Sequence, residues 1–267
     1  MTKTYKSYRS QSFLTSTAAR PLRILSEYLE PKSRFDHYKV EDTIVFFGSS
    51  RIVSPDEAEQ SLAAAREAGD DLTRAETGRE LARYFEATRE LAYRLTEWSK
   101  GLGQGSRRFV VCSGGGPGIM EAANLGASQA RGLNVGLTIS LPMEESYNPH
   151  ITRELQFEFH YFFMRKFWFA YLAKAVVVMP GGFGTLDELF ELLTLVQTRK
   201  IRKHMPIVLF GTDYWKQVVD FKMLARFGTI DAKDIDLCFR TDSVDEAFGY
   251  LTEQLGTYAI DQPGATL

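Results

Sequence analysis

Ala175-Val176-Val177-Val178-Met179 runs directly into Pro180-Gly181-Gly182-Phe183-Gly184-Thr185-Leu186-Asp187-Glu188. The first five residues are a short, continuous apolar run, which is how a strand buried on both faces reads. The glycines then give a tight turn, and the apolar spacing from Leu186 to about Gln197 predicts a helix. Strand, glycine turn and helix in that order form one half of a βα unit.

The same grammar repeats on either side. Thr43-Ile44-Val45-Phe46-Phe47 reads as a buried strand ended by Gly48-Ser49-Ser50. Ser54-Pro55-Asp56-Glu57 is a helix start, with Ser as cap, Pro at the first position and Glu reaching back; Gly69 should stop that helix. A long helix is expected from about Leu72 to Ser99. Arg108 to Cys112 makes a strand that enters Ser113-Gly114-Gly115-Gly116-Pro117-Gly118 and a helix from Ile119 to Ala130. Further strands are expected at 134–139, 206–210 and, weakly, 235–239. Glu158 to Ala173 mixes a short strand with an aromatic helix, one helix should hold Tyr214 to Phe221, and another should run from Ser243 to Leu255. Continuous apolar strands alternating with helices predict an α/β fold: a Rossmann-like, doubly wound parallel sheet flanked by helices. Such sheets bind ligands outside the carboxyl ends of their strands, where all the glycine turns fall.

Composition agrees. The chain has 267 residues, 44% hydrophobic and 25% charged, with 19 Phe, 12 Tyr and 3 Trp, too many large apolar groups for a solvated coil. Its apolar runs are too short to span a bilayer. Two cysteines exclude a disulfide framework, and with no apolar secretory core near the start they point to a cytoplasmic setting. A net charge of −2 argues against a nucleic-acid partner. The first forty residues are nevertheless basic, with Lys3, Lys6, Arg9, Arg20, Arg23, Lys32, Arg34 and Lys39 against Glu27, Glu30 and Asp36. They read as a flexible tail leading into a short surface helix near Pro21 to Leu29. The division expected is an arm over 1–40, one Rossmann-like domain over 41–258 and a tail over 259–267.

Free N–H groups at a helix start, reached through glycines, make an anion site. Two such turns in one sheet, plus Gly48-Ser49 on a third strand, point to a phosphorylated ligand. The dinucleotide pattern fails because Ile119 holds the last glycine place, and neither turn is a P-loop. The four His show no metal-ligand spacing, so no metal is called for. Thr185 and Glu188, three apart, fit a capping box; they equally fit a carboxylate one turn from a phosphate site. Asp187 and Glu191 read as a solvated helix face. In His160-Tyr161-Phe162-Phe163-Met164-Arg165-Lys166-Phe167-Trp168-Phe169, two adjacent cations sit in an aromatic helix. They either face solvent or need a carboxylate or phosphate partner.

Pro180 to Glu188 matches the P-G-G-x-G-T-x-x-E signature of the Lonely Guy (LOG) family, long labelled "lysine decarboxylase-like". Met164-Arg165-Lys166 resembles the family's second motif, Ser113 to Ala122 its first glycine turn, and Phe47-Gly48-Ser49-Ser50-Arg51 its first strand end. The resemblance spans roughly Thr43 to Leu255. It implies a phosphoribohydrolase that splits nucleoside 5′-monophosphates into free base and ribose 5-phosphate, without a cofactor. The Arg of the Arg-Lys pair and the last signature Glu map onto Arg165 and Glu188 as catalytic residues. Gly48, Ser49, Ser113, Gly114, Gly115, Gly116, Lys166, Gly181, Gly182, Phe183, Gly184, Thr185 and Asp187 fall at positions that would hold the substrate. Glu144, or Glu145 beside it, looks like the family's base- or sugar-contacting acid, and Thr198 sits where the family places a further contact. The helix dipole should help to keep Glu188 ionised. Family members are commonly homodimers.

The long arm and second helix resemble the larger bacterial-type branch, often described as AMP nucleosidases, which favours a purine over a cytokinin nucleotide. Nothing marks a pyridoxal lysine, so decarboxylation is not expected. The competing reading is a protein that binds a nucleotide-like cofactor without cleaving it, as the molybdenum-cofactor carriers do; there the Arg/Glu pair would have no chemical task.

Overall fold

The computed structural model describes residues 6–103, 105, 107–140 and 148–265. Seven strands form one sheet: β1 (Thr43–Phe47), β2 (Val110–Ser113), β3 (Asn134–Ile139), β4 (Gln156–Phe159), β5 (Ala173–Val178), β6 (Ile207–Phe210) and β7 (Cys238–Thr241). Eleven α-helices accompany them among the described residues: α1 (Gln11–Leu14), α2 (Arg20–His37), α3 (Pro55–Ala68), α4 (Thr73–Leu81), α5 (Arg83–Gly101), α6 (Ile119–Gln129), α7 (Phe162–Leu172), α8 (Phe183–Gln197), α9 (Thr212–Val218), α10 (Phe221–Arg226) and α11 (Val244–Tyr258).

The strand order is β4-β3-β2-β1-β5-β6-β7, and every pair is parallel. The chain winds outward from β1 to β4, then returns to lay β5 on the other side of β1. The order reverses between β1 and β5, and a doubly wound sheet opens its ligand crevice at such a point. Alternate residues of each strand feed two cores. Val45, Phe47, Val176 and Val178 pack beneath α7 and α8, while Ile44, Phe46, Ala175 and Val177 pack beneath α5, α6 and α11. Burial on both faces is why these strands read as unbroken apolar runs. No helix among the described residues is long and apolar enough to cross a membrane.

Several boundaries differ from expectation. The capping box at Ser54 and Glu57 is present, and Gly69 ends α3 in the left-handed conformation. The long helix expected over 72–99 is two helices, broken at Ala82. β2 starts at Val110 because Phe109 takes a positive φ of 52°. The last strand starts three residues later than expected, because Asp231 and Asp234 cap a 3-10 helix over 232–237. The helix expected to reach Phe221 ends at Val218, and Asp220 caps a new one.

The largest difference is in the arm. The helix expected near Pro21 to Leu29 extends to His37 and lies against the body. Phe35 packs on Phe157 and Trp168, with ring centroids 4.9 and 5.3 Å apart. The Arg34 guanidinium sits 3.9 Å from the Phe157 ring centroid and donates to the Glu154 and Gln156 carbonyls.

Candidate active site

Three loops meet at the carboxyl end of the sheet. The N–H of Ser49, after β1, donates to the Pro180 carbonyl after β5 at 3.0 Å. The Ser49 carbonyl in turn accepts from Ile119 N–H, the first residue of α6, at 3.1 Å. Only glycine fits where these loops cross. A β-carbon on Gly181 would stand 2.1 Å from the Thr185 hydroxyl and 3.0 Å from the Ser49 nitrogen. Gly118 has φ +69°, and a β-carbon there would meet the Ser49 carbonyl oxygen at 2.6 Å. Tyr214 Oη clips the turn from outside by donating to the Gly181 carbonyl at 2.8 Å.

α8 begins at Phe183, and its hydrogen-bond ladder opens with Leu186 N–H to the Gly182 carbonyl at 3.0 Å. The N–H groups of Phe183, Gly184 and Thr185 lie ahead of that ladder, where a helix has donors to offer an anion. The capping box expected of Thr185 and Glu188 is absent: Gly182 is the cap residue, with no side-chain cap bond, and both residues lie inside the helix. Local spacing fitted either role; the entry of the chain three residues earlier decides it.

Glu188 turns inward instead, to Arg165. α7 leads directly into β5, so its first turn lies at the carboxyl end of the sheet, and Arg165 Nη2 reaches Glu188 Oε1 at 3.0 Å. The two side chains are 15% and 8% exposed, so this is a buried pair. The guanidinium also lies beside the Phe162 and Phe169 rings, 5.1 and 5.6 Å from their centroids. Its Nε–H is buried and finds no hydrogen-bond partner among the described residues. Lys166 takes the outer carboxylates, Asp187 at 2.7 Å and Glu191 at 3.0 Å. Neither cation of the aromatic helix faces solvent unpaired.

Burial raises the Glu188 carboxyl to about 7; Arg165 and Lys166 pull it down, Asp187 and Glu191 push it up, and burial wins. The expectation that the helix dipole would keep it ionised fails, because Glu188 is six residues into α8, beyond the first turn where that field acts. Burial likewise holds Arg165 below the ordinary guanidinium range, against the pull of Glu188. A carboxyl near 7, fixed by a planar fork, is suited to take a proton at neutral pH.

The remaining predicted residues divide into three groups. Gly48, Ser49, Gly181, Gly182, Phe183, Gly184 and Thr185 lie in the crossing loops after β1 and β5 and the start of α8, and Lys166 and Asp187 pair with each other next to Arg165 and Glu188 in the chain. Ser113, Gly114, Gly115 and Gly116 form the neighbouring loop, but the Ser113 hydroxyl is committed: it bonds the Asn124 carboxamide oxygen at 2.6 Å and accepts from Gly115 N–H at 3.0 Å. Thr198 caps the far end of α8, about 15 Å along the axis from Glu188, and donates to the Thr194 carbonyl. Glu144 lies outside the described residues.

Sequence reading missed the supports. Asn124 ties the second loop together by donating to Asn134 and accepting from Asn148, all three buried. A lone Asn inside the apolar window of α6 was the available signal. Glu27, whose carboxylate reaches the start of α7, and Tyr214 gave none.

Residues 120–251 match the family model described as "Possible lysine decarboxylase". No curated protein matches the chain. Among solved structures it is similar to the structural-genomics target TM1055, at 20% identity and a TM-score of 0.47, over 79% of this chain and 99% of that one. It is similar to the molybdenum cofactor binding protein of the phototrophic bacterium Rippkaea orientalis, at 19% identity and a TM-score of 0.43, over 62% and 87%. It is similar also to the Moco carrier protein of Chlamydomonas reinhardtii, at 16% identity and a TM-score of 0.48, over 81% and 99%. The matched stretch, just under half of the chain, takes in Arg165, Lys166 and the Pro180 to Glu188 turn, so the family model and the Lonely Guy-like motifs fall on the same residues.

Proposed function

We propose that the protein hydrolyses the N-glycosidic bond of nucleoside 5′-monophosphates, AMP or a related purine nucleotide foremost, to free base and ribose 5-phosphate. The observation that carries this reading is the buried Arg165–Glu188 pair, 3.0 Å apart, one to two turns from the free N–H groups that open α8. The 5′-phosphate sits on the amides of Phe183, Gly184 and Thr185. That brings the ribose over Glu188. As the bond from C1′ to the base nitrogen breaks, positive charge grows on the sugar, as in glycoside hydrolysis. Glu188, as carboxylate, stabilises that charge and takes a proton from the water that attacks C1′. The bonding electrons leave with the base, which takes up a proton. Arg165 stays charged and holds Glu188 in place.

Product analysis tests this. Purified protein is incubated with AMP, GMP, CMP, UMP and an isopentenyladenosine monophosphate, and base and ribose 5-phosphate are separated by chromatography. Wild type should release base, and Glu188→Gln should lose about a hundredfold or more in turnover with its fold intact. Tight binding of a nucleotide without release of base would replace the hydrolase with a carrier.

A further inference from the structure

The site rests on α7, and α7 is held from outside by the arm. The N–H groups of His160 and Tyr161, just ahead of the helix, both donate to the Glu27 carboxylate of α2, at 2.9 and 3.2 Å. Two turns further along, Trp168 Nε1 donates to the carbonyl of the same residue at 2.9 Å. Tyr28 follows, stacked on Trp168 with centroids 5.6 Å apart and tilted against Phe167 at 5.7 Å. One residue of α2 thus grips α7 on both sides of Arg165. Arg165 hangs from this grip directly, since its own N–H closes onto the carbonyl of Tyr161 at 3.2 Å. The opposite end is tied separately, by Lys203 Nζ to the Ala170 and Tyr171 carbonyls at 2.8 and 2.9 Å.

The carboxylate has a second reason to be there. A negative charge is favoured at a helix start, and the first turn of α7 carries the cations of the site. Glu27 makes no contact with Arg165 or Lys166, so its influence passes through the backbone.

We propose that Glu27 is a positioning residue for the Arg165–Glu188 pair: it fixes the height and rotation of α7 so that the guanidinium meets the carboxyl. The proposal rests on the hydrolase reading for its kinetic consequence, though not for its structural one. Misplacing a reacting group by about 1 Å costs on the order of a hundredfold in rate. The charged groups acting on Glu188 are Arg165 and Lys166 from α7 and Asp187 and Glu191 from its own helix. Loosening α7 withdraws the two cations and leaves the two anions.

The test uses the full chain with Glu27→Ala, Glu27→Gln and, at an exposed position of α2, Ser33→Ala as control. Two quantities are read: kcat and KM for AMP, and the titration of the Glu188 carboxyl by carbon-13 NMR, assigned by its loss in Glu188→Gln. Glu27→Ala should lower kcat by about tenfold or more with KM within about threefold, and Glu188 should titrate at higher pH than in wild type. Glu27→Gln, which keeps one acceptor oxygen but sets an NH2 against the other N–H and loses the charge, should fall between Glu27→Ala and wild type, and Ser33→Ala should match wild type. A Glu27→Ala protein with lowered Tm but wild-type kcat and Glu188 titration would overturn the proposal, leaving Glu27 a packing contact. Should Glu27→Ala not fold, Glu27→Asp keeps the charge on a shorter arm and should show the same two changes in smaller measure; wild-type values there overturn the proposal equally. If wild type releases no base from any nucleotide, the hydrolase reading fails, and the Glu188 titration alone decides the positioning role.

Discussion

At the scale of single residues, Glu188 sets the behaviour of the site. An ordinary exposed glutamate is fully ionised at neutral pH, whereas this one sits near 7 because burial opposes its charge more strongly than Arg165 and Lys166 favour it. If the carboxylate is the form that works, kcat should fall as the pH drops below about 7 and level off above it. A kcat profile between pH 5 and 9 checks this, and a profile flat through that region would mean that Glu188 does not exchange protons in the reaction. Raising an acid's pKa extends its protonated range upward, so the active fraction shrinks on the acid side. Lys166 contributes differently. Burial lowers its affinity for a proton, but its bonds to Asp187 and Glu191 outweigh that and keep it charged. The outer acids are thereby neutralised beside the free N–H groups that open α8.

At the scale of elements, the strongest local signals proved reliable. Ser54 accepts from Glu57 N–H, and Glu57 reaches back to the Ser54 N–H. Ser54→Ala should therefore cost about 1 kcal/mol, read as a lowered midpoint in chemical denaturation with an unchanged slope. The same kind of spacing left two roles open at Thr185 and Glu188, because a capping box depends on where the chain enters the helix, and Gly182 enters it three residues earlier. Glycine turns were legible because they are a backbone necessity: a side chain at Gly181 has nowhere to go. The pairing of Arg165 with Glu188 was legible only as a need for a partner, since spacing cannot tell which carboxylate answers. The break at Ala82 was hidden because the apolar period continues through it, from Leu81 to Phe85 and Leu91. The docking of α2 was hidden for a different reason. Its partners lie 120 or more residues away along the chain, and nothing local to Glu27 or Tyr28 points to them.

At the scale of the whole molecule, the end of the sheet opposite the site carries its own clamp. Asp42, just before β1, pairs with Arg108, just before β2, at 2.7 Å, with side chains 0% and 2% exposed. Asp42 also accepts from Phe109 N–H, and the Arg108 guanidinium donates to the Ala259 and Ile260 carbonyls beyond α11. Two central strands and the final helix are joined through one guanidinium. Arg108→Ala leaves a buried carboxylate without its guanidinium partner and should cost about 3–5 kcal/mol by denaturation. The double variant Asp42→Ala/Arg108→Ala should lose less than the sum of the two single variants. The order of synthesis gives the arm a separate significance. A chain made from its amino end completes α2 well before the residues that hold it, since Glu27 precedes His160 by 133 positions. At about 5–20 residues per second, that is a wait on the order of ten seconds. Through that interval Tyr28, Pro31 and Phe35 have no seat, and a nascent chain halted before β5 has neither strand nor turn to carry Glu188. The support is made first and waits for what it supports, so α2 can take its seat only after β1, β2, β3 and β4 have been made.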